Sequence, residues 1–214
     1  MTITTVKNPA PAAEFWNKVA DRYAQKPIAD EASYRNKLWL TQTHFTPDMK
    51  VMEFGCGTGS TALEHAPFVD HILATDISVR MIEIARARRR ASGIRNVCFE
   101  QIAIEDFEAP DESFDAVLGL SILHLVKDRD GIIEKVRRML KPGGLFVTST
   151  VCLGDAMAWF KLVAPVGRTV GLMPYVAVFK TAELEESIEA HGFEIDHRWK
   201  PDKGASHFLI ARRR

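Results

Sequence analysis

The stretch that decides the fold is VMEFGCGTGST, residues 51 to 61, where three glycines occupy alternate positions directly after a short apolar run. An apolar run that ends in glycines is typical of a buried strand that turns tightly into a helix. Glycine permits positive φ angles and lets a ligand approach the main chain where a Cβ would block it. The unpaired N–H groups at the start of the following helix favour anionic or acceptor-rich ligand groups. We therefore expect a ligand to lie against Gly55, Gly57 and Gly59.

The composition restricts the classes of function. At 214 residues the chain can form one well-buried domain and is too short for two full-sized ones. Lys plus Arg equal Asp plus Glu, 28 against 28, which disfavours a general nucleic-acid binder or a protein held at an anionic membrane. The three cysteines are widely spaced, predict free thiols in a reducing cytoplasm, and do not suggest a metal site. We find neither a secretory signal nor a run of roughly 20 apolar residues that would span a membrane.

Strands and helices alternate along most of the chain. After a loose arm over residues 1–12, two helices are predicted between Ala13 and about Phe45. The predicted strands are KVMEFG, HILATD, VCFEQI, FDAVLGLS and LFVTSTV. The helices between them begin at Thr61, at Ser78, whose side chain is a suitable N-cap, and at Arg129, and the last of these ends at KPGG. Such alternation requires right-handed crossovers and a parallel sheet covered by helices on both faces.

The tail has a different pattern. After the helix TAELEESIEAHG, with Gly192 as its C-cap, the strands FEIDHRWK and SHFLIARR are separated only by the turn PDKGA. Strands joined so closely must pair antiparallel. The sequence therefore predicts an α/β fold, a three-layer αβα sandwich with a mostly parallel seven-stranded sheet and a C-terminal antiparallel hairpin.

The glycine loop matches neither of the two familiar nucleotide patterns. The dinucleotide fingerprint G-x-G-x-x-G requires glycine where Ser60 stands, and no Lys follows as in a phosphate-cradling loop. Asp76 lies at the end of the second strand, where a carboxylate can accept both hydroxyls of a ribose. We therefore expect a ligand that contains a ribose and that need not contain a pyrophosphate.

Four segments, in their order and spacing, resemble the class I S-adenosylmethionine-dependent methyltransferases, especially the small type 11 branch with a GCGTG loop and an LKPGG turn. These segments are VMEFGCGTGS, TDIS, ESFDAVLGLSILHLV and RRMLKPGGLFV. The resemblance covers about residues 34–150, and it continues by topology because the family also ends its seven-stranded sheet in a hairpin. It implies a single methyltransferase domain over residues 1–214, with a helical cap (1–45), a cofactor-binding core (46–150), an acceptor-covering lid (151–180) and a C-terminal helix and hairpin (181–214).

The resemblance also implies S-adenosylmethionine as cofactor, S-adenosylhomocysteine as product, and no metal. Glu53 matches the acid that orders the glycine loop, Asp76 matches the acid that binds the ribose, and Ile77 matches a residue that packs on adenine. Leu120 and Ser121 match positions that face the methionine end and the methyl group. The other residues that the resemblance places around the cofactor are Gly55, Cys56, Gly57, Thr58, Gly59 and Met81.

One position departs from the family pattern. Ala103 stands where many members have an adenine-binding Asp after the third strand. Ile104 could contact adenine through its backbone, and Glu105 or Asp106 could supply the missing acceptor. The ribose assignment therefore has more support in the sequence than the adenine assignment.

Several side chains could have either a functional or a structural role. His124 lies near the expected methyl donor and could remove a proton from the acceptor, or it could be a structural histidine. Trp16, Tyr23 and Tyr34 could close over the ligands or only pack. Arg86 to Arg90 are expected to form a solvated helix face.

The resemblance implies methyl transfer by in-line displacement, in which the leaving thioether needs no proton. The motifs of nucleic-acid methylation, an N/D-P-P-Y type sequence or a Pro-Cys nucleophile, do not follow the fourth strand, so we expect a small-molecule acceptor. The segment Val151–Phe179 is apolar and suits an apolar or aromatic acceptor, although it could instead form a homodimer surface. The alternative function is a non-catalytic S-adenosylmethionine-binding subunit. A nicotinamide dehydrogenase is disfavoured by the position of the third glycine and by the hairpin.

Overall fold

The computed structural model describes residues 11–155, 174–201 and 206–214 of the chain, in which helices cover both faces of one sheet. The described helices are α1 (Pro11–Gln25), α2 (Glu31–Gln42), α3 (Ser60–His65), α4 (Val79–Ser92), α5 (Arg129–Met139) and α6 (Thr181–Ala190). The strands are β1 (Lys50–Phe54), β2 (His71–Asp76), β3 (Val97–Gln101), β4 (Phe114–Leu120), β5 (Leu140–Val151), β6 (Phe193–Trp199) and β7 (Ser206–Arg213). These elements agree with the predicted order of helices and strands.

The sheet has the order β3-β2-β1-β4-β5-β7-β6. The first five strands in this order pair parallel, and β7 pairs antiparallel with both β5 and β6. The predicted mostly parallel sheet with a C-terminal hairpin is therefore confirmed. Because the strand order reverses at β1, a crevice opens beyond the carboxyl ends of β1 and β4, where open α/β sheets bind their ligands.

Both faces of the sheet bury apolar side chains, as a sandwich requires. In β1, Val51 packs on the face that α3 and α4 cover, whereas Met52 and Phe54 pack on the face that α5 and α6 cover. Residues 51–54 are buried on both faces of the sheet, so burial in β1 is continuous rather than alternating. The glycine loop therefore begins at the end of the most protected part of the sheet.

The start of α4 follows the prediction closely. The Ser78 side chain accepts a hydrogen bond from the Met81 N–H at 3.1 Å, which satisfies one of the unpaired donors of the first turn. Its hydroxyl also donates to Asn17 Oδ1 of α1 at 2.6 Å. The N-cap of α4 therefore also anchors the N-terminal helix to the core.

Three local predictions are corrected. Helix α1 begins at Pro11, inside the arm expected over residues 1–12, because proline fits the first helical position, where no N–H donor is needed; residues 1–10 lie outside the described part. The KPGG turn does not separate α5 from β5, because β5 starts at Leu140 and the turn lies within it, as an irregularity between Leu140 and Leu145, which pair with Phe114 and Ala116 of β4. Helix α6 has His191 as its C-cap, and Gly192 follows with a φ of 81°.

Candidate cofactor and acceptor site

The glycine loop joins β1 to α3, and its three glycines all have positive φ, 67° at Gly55, 54° at Gly57 and 78° at Gly59. A Cβ at Gly55 would lie 2.8 Å from the Ile122 side chain, and one at Gly59 would lie 2.6 Å from the Phe99 ring. A Cβ at Gly57 would have no heavy atom within 4 Å. Gly57 therefore leaves open space for a ligand, whereas Gly59 is a packing requirement.

Asp76 holds the glycine loop in place. Its Oδ2 accepts a hydrogen bond from the Gly57 N–H at 2.9 Å, and its Oδ1 accepts one from the Ser78 N–H at 2.8 Å. Burial raises the pKa of Asp76, and these two backbone hydrogen bonds oppose that rise. Each carboxylate oxygen keeps a further lone pair, so Asp76 can still accept hydrogen bonds from a ligand.

Glu53 is buried beside this arrangement, with 3% of its surface exposed. Its Oε2 has no hydrogen-bond partner among the described residues. Burial, and then the charge of Asp76, raise the pKa of Glu53 to about 8. Of these two acids, Asp76 is therefore the one that bonds the loop directly, through the Gly57 N–H, and Glu53 presents a carboxyl group that a ligand donor could satisfy.

A cavity of about 150 Å³, the small cavity, lies beyond the ends of β2, β3 and β4. Six residues predicted to bind the cofactor line this cavity alone: Asp76, Ile77, Met81, Ala103, Ile104 and Glu105. Asp106 does not line it, and its N–H instead donates to the Ala103 carbonyl at 3.1 Å. Of the two acids considered as substitutes for the missing Asp, the structure therefore places Glu105 in the wall.

A second cavity of about 380 Å³, the large cavity, lies beyond β1, β4 and β5. Of the predicted residues, Tyr34, Glu53, Cys56 and Thr58 line this cavity and not the small one, and Gly59 lines neither. Sequence reasoning missed the cavity residues Lys37, Thr41, His65, Arg88, Ser149 and Phe208. No motif marks these residues, because they come from five separate elements.

The two cavities adjoin one another. Both are lined by Tyr23, Gly55, Gly57, Leu120 and Ser121. Ser121 has a φ of 60°, in the left-handed region that costs a non-glycine residue roughly 1–2 kcal/mol. A hydrogen bond from its N–H to the carbonyl of the neighbouring strand β5, 2.6 Å long, holds this conformation. The boundary between the cavities is therefore built from the two positions expected to face the methyl group.

The N-terminal helices take part in the walls. Trp16 lines the small cavity, Tyr34 lines the large one, and Tyr23 lines both. The Trp16 and Tyr23 rings meet edge to face with centroids 6.4 Å apart. Burial raises the pKa of Tyr34. These aromatic residues therefore lie against the ligand space rather than only in the core.

His124 does not line either cavity. Burial lowers the pKa of His124 to about 4, and its Nδ1 has no hydrogen-bond partner among the described residues. Its carbonyl accepts a hydrogen bond from the Ala177 N–H at 2.7 Å. The structure therefore does not place His124 beside the ligand space, and its role as a base stays a prediction.

The expected solvated face of α4 is wrong for Arg88 and Arg89, which are half-buried, whereas Arg86 is exposed as expected and still binds a backbone carbonyl. Arg86 donates to the Phe99 carbonyl and Arg89 to the Val97 carbonyl, both at 2.7 Å. Arg88 donates to Thr58 Oγ1 and Ser60 Oγ at 2.7 Å and to the Ala24 carbonyl at 2.9 Å. These arginines join α4 to β3, to the glycine loop and to the end of α1.

The fold is that of a Rossmann-like α/β protein, with a crevice at the carboxyl ends of β1 and β4. The chain belongs to the methyltransferase domain family, whose model matches residues 45–197. It is an S-adenosylmethionine-dependent methyltransferase, as the sequence motifs predicted. In the described parts of the chain, no helix is long and apolar enough to cross a membrane.

The chain is similar to proteins of several bacteria. It is 28% identical to an uncharacterized methyltransferase, YcgJ of Bacillus subtilis, over 62% of this chain and 52% of that protein, so it spans about half of that relative. It is 25% identical to a ubiquinone biosynthesis O-methyltransferase of Agrobacterium fabrum, over 96% of this chain and 84% of that protein. Its fold matches the crystal structure of an S-adenosylmethionine-dependent methyltransferase from Mesorhizobium loti with a TM-score of 0.71 and 20% identity, covering 86% and 99% of the two chains.

Proposed function

We propose that this protein transfers a methyl group from S-adenosylmethionine to a small apolar or aromatic acceptor by in-line displacement. The observation that carries the proposal is the pair of adjoining cavities, which share Gly55, Gly57, Leu120 and Ser121. The small cavity suits the adenosine part of the cofactor, and the large cavity suits its methionine end together with the acceptor. The reaction centre then lies where the two cavities meet.

The residues of the small cavity fit an adenosine group. Asp76 offers carboxylate oxygens for the ribose hydroxyls, and Ile77 and Met81 offer apolar surface for the base. Glu105 lies in the wall two residues after Ala103, the position where many family members have an adenine-binding Asp. We propose Glu105 as the acceptor for the adenine amino group. Ile104 contributes backbone and apolar surface on the same side.

The residues near the glycine loop fit the methionine end. Glu53 has a buried carboxyl oxygen without a partner among the described residues, and an ammonium group would satisfy it and favour its ionised form. Gly57 leaves space where a side chain would otherwise stand, so a ligand can approach the main chain. Cys56 and Thr58 complete this part of the wall.

When bound, the cofactor supplies a methyl group on a sulfonium that a nucleophile can displace. The contribution of the protein is then positioning, because Leu120 and Ser121 hold the boundary between the two cavities and helices α1 and α2 cover it. Alignment of the reacting atoms at about 3 Å, together with exclusion of water, can supply roughly 7–11 kcal/mol of the barrier reduction. The leaving thioether requires no proton donor, so the absence of a triad from the motifs is consistent with this reaction.

The identity of the acceptor class rests on the surrounding apolar segments. Tyr175 and Phe179 belong to the apolar segment after β5, and the other residues singled out there, Met157, Trp159, Phe160, Leu172 and Met173, lie outside the described residues. A relative named for ubiquinone biosynthesis supports a small-molecule acceptor. We propose that this segment covers the acceptor, and its use as a homodimer surface and a cytoplasmic location stay predictions.

The proposal is tested by calorimetric titration of S-adenosylhomocysteine, with NAD as the control ligand because NAD shares the adenosine group. We expect saturable binding of S-adenosylhomocysteine and at least tenfold weaker binding of NAD. Incubation with S-adenosylmethionine and a panel of small aromatic acceptors should then release S-adenosylhomocysteine, measured by mass spectrometry. Failure to bind S-adenosylhomocysteine would overturn the assignment of both cavities, and binding without release for any acceptor would favour the non-catalytic alternative.

A further inference from the structure

Lys37 of α2 extends into the core beside the large cavity. Its Nζ donates to Ser149 Oγ of β5 at 2.8 Å and to Ser206 Oγ of β7 at 3.1 Å, and these two hydroxyl oxygens lie 2.9 Å apart. The Trp199 ring lies 6.0 Å from the same nitrogen. One cation thus joins a helix of the N-terminal cap to two strands that are far away in the sequence.

The charge of Lys37 has no direct counterion among the described residues. Other lysines, such as Lys135, Lys141 and Lys200, each form an ion pair with a carboxylate, whereas both partners of Lys37 are neutral hydroxyls. An ammonium has three N–H donors, and the third donor of Lys37 has no acceptor in the described part of the chain. Burial lowers the pKa of Lys37, and the opposing charge of Asp30 is a smaller influence.

Lys37 also lies next to the proposed reaction centre. Ser149 is the register partner of Leu120 across β4 and β5, and its carbonyl accepts the 2.6 Å hydrogen bond from the Ser121 N–H. Lys37 and Ser149 both line the large cavity together with Leu120 and Ser121. A group bound to the free donor of Lys37 would therefore lie on the acceptor side of the boundary between the cavities.

The other titratable groups of the large cavity leave its charge positive. Glu53 is the one carboxyl group in the described wall, and its pKa of about 8 keeps it mostly protonated at neutral pH without cofactor. Burial holds His65 neutral, with a pKa of about 4, and Tyr34 is also neutral because its pKa is raised. Arg88 uses its donors on the glycine loop and on α1. Lys26 also lines this cavity, but it is exposed to solvent. Lys37 is thus the half-buried cation that remains available to a ligand in the interior of the cavity.

We propose that Lys37, Ser149 and Ser206 form an oxyanion subsite that binds the acceptor through an acidic ring hydroxyl in its ionised form, as a phenolate. This inference rests on the proposed function and names its substrate class. The acceptor hydroxyl loses its proton to solvent on binding, and the ammonium stabilises the negative oxygen. In the transfer, the phenolate oxygen forms the new bond to the methyl carbon while the carbon–sulfur bond breaks and its electron pair stays on sulfur. A phenolate and a sulfonium are thereby converted into a neutral ether and a neutral thioether.

The subsite is tested with 4-nitrophenol, whose phenolate absorbs visible light, and with 4-nitroanisole, which has the same ring and cannot ionise. Both probes are titrated into protein saturated with S-adenosylhomocysteine. We expect the phenolate to bind at least tenfold more tightly than 4-nitroanisole, with the apparent pKa of the bound phenol lowered in absorbance titrations. Lys37→Met should abolish both differences, Lys37→Arg should restore part of them because it keeps the charge, and the control Lys18→Met, an exposed lysine of α1 outside both cavities, should change neither.

Distinct outcomes separate this inference from the proposed function. If the wild type binds S-adenosylhomocysteine but does not prefer the phenolate, or if Lys37→Met keeps the preference, the subsite is wrong while the proposed function stands. If Lys37→Met weakens S-adenosylhomocysteine as strongly as the phenolate, Lys37 binds the cofactor and the inference is overturned. If circular dichroism shows that Lys37→Met does not fold, Ser206→Ala is used in its place. We expect Ser206→Ala to bind the phenolate severalfold more weakly and to keep its affinity for S-adenosylhomocysteine. An unchanged phenolate affinity would overturn the subsite. If the wild type does not bind S-adenosylhomocysteine, both proposals fail.

Discussion

The small and the large cavity adjoin one another, yet they are built in different ways. The small cavity is formed mainly by residues at the ends of β2, β3 and β4 and in the turns that follow them. The large cavity takes its walls from α2, α3, α4, β5 and β7, which lie up to 169 residues apart where Lys37 meets Ser206. Residues at neighbouring strand ends meet in any parallel sheet of this order, whereas the second set meets only when the whole chain has folded. The walls of the small cavity can therefore be read from motifs, whereas the walls that α2, α4, β5 and β7 add to the large cavity cannot.

We expect Asp76→Ala to have the largest effect, and its result tests whether the small cavity binds the adenosine part of the cofactor. The substitution removes the acceptor of the Gly57 and Ser78 N–H groups and the proposed ribose contacts. Hydrogen bonds to a charged group contribute about 1.5–3 kcal/mol each, so the affinity for S-adenosylhomocysteine should fall by about a hundredfold or more. Calorimetry measures this change, with Asp76→Asn as the isosteric control that keeps one acceptor oxygen and should lose less. Wild-type affinity in Asp76→Ala would show that the ribose lies elsewhere.

Gly59→Ala and Gly57→Ala separate packing from ligand binding within one loop. At Gly59 the new Cβ combines a left-handed φ with a clash against Phe99, so the free energy of unfolding should fall by about 3 kcal/mol. At Gly57 the φ is also left-handed but the Cβ meets open space, so about 1 kcal/mol is expected together with weaker S-adenosylhomocysteine binding. Urea denaturation and calorimetry measure the two effects. An equal loss of stability in both variants would contradict this difference between the glycines.

Glu53 predicts a pH dependence of the cofactor-free protein. The pKa of a solvent-exposed glutamate is 4.5, and burial raises the pKa of Glu53 to about 8, so the folded protein keeps a proton that the unfolded chain releases. The stability that this bound proton contributes is fully present below pH 4.5, the pKa in the unfolded chain, and is lost as the pH rises to about 8. Between pH 6 and pH 8 the wild type should therefore lose about 2 kcal/mol more unfolding free energy than Glu53→Gln, whose neutral amide does not titrate. Urea denaturation at the two pH values measures this difference. An equal change in unfolding free energy for the wild type and Glu53→Gln would contradict a protonated Glu53.

Arg88→Met, where the large cavity meets the N-terminal cap, is expected to have the smallest effect. The change removes hydrogen bonds to Thr58, Ser60 and the end of α1 while keeping an unbranched apolar side chain. We expect a loss of about 1 kcal/mol in S-adenosylhomocysteine affinity and faster amide hydrogen exchange in α1. Arg90→Met, an exposed position on the same helix, is the control and should change neither. Equal behaviour of the two variants would show that Arg88 does not hold the cap.

The elements, and the residues that line the small cavity at the strand ends, were predictable because they depend on local rules. The periodicity of apolar residues gave the helices and strands, and Ser78 was recognised as an N-cap from its residue type alone. The predictions that failed concern contacts between distant segments. Arg88 and Arg89 were expected to be solvated, but they are half-buried and donate to backbone carbonyls of α1 and β3. At Gly59 the structure adds a packing role, because the Phe99 ring occupies the space beside it, and its contact with the cofactor stays a prediction.

The sequence by itself determined that the chain would form a parallel α/β sheet with a C-terminal hairpin, a glycine loop after β1 and a carboxylate at the end of β2. These features follow from patterns within a few residues, where periodicity, turn residues and capping act directly on the backbone. Only the tertiary structure decided that Asp76 rather than Glu53 holds the loop, and that Lys37 reaches Ser149 and Ser206 beside the large cavity. Such contacts depend on how helices pack across the sheet, because packing sets the distance between side chains that no local pattern relates.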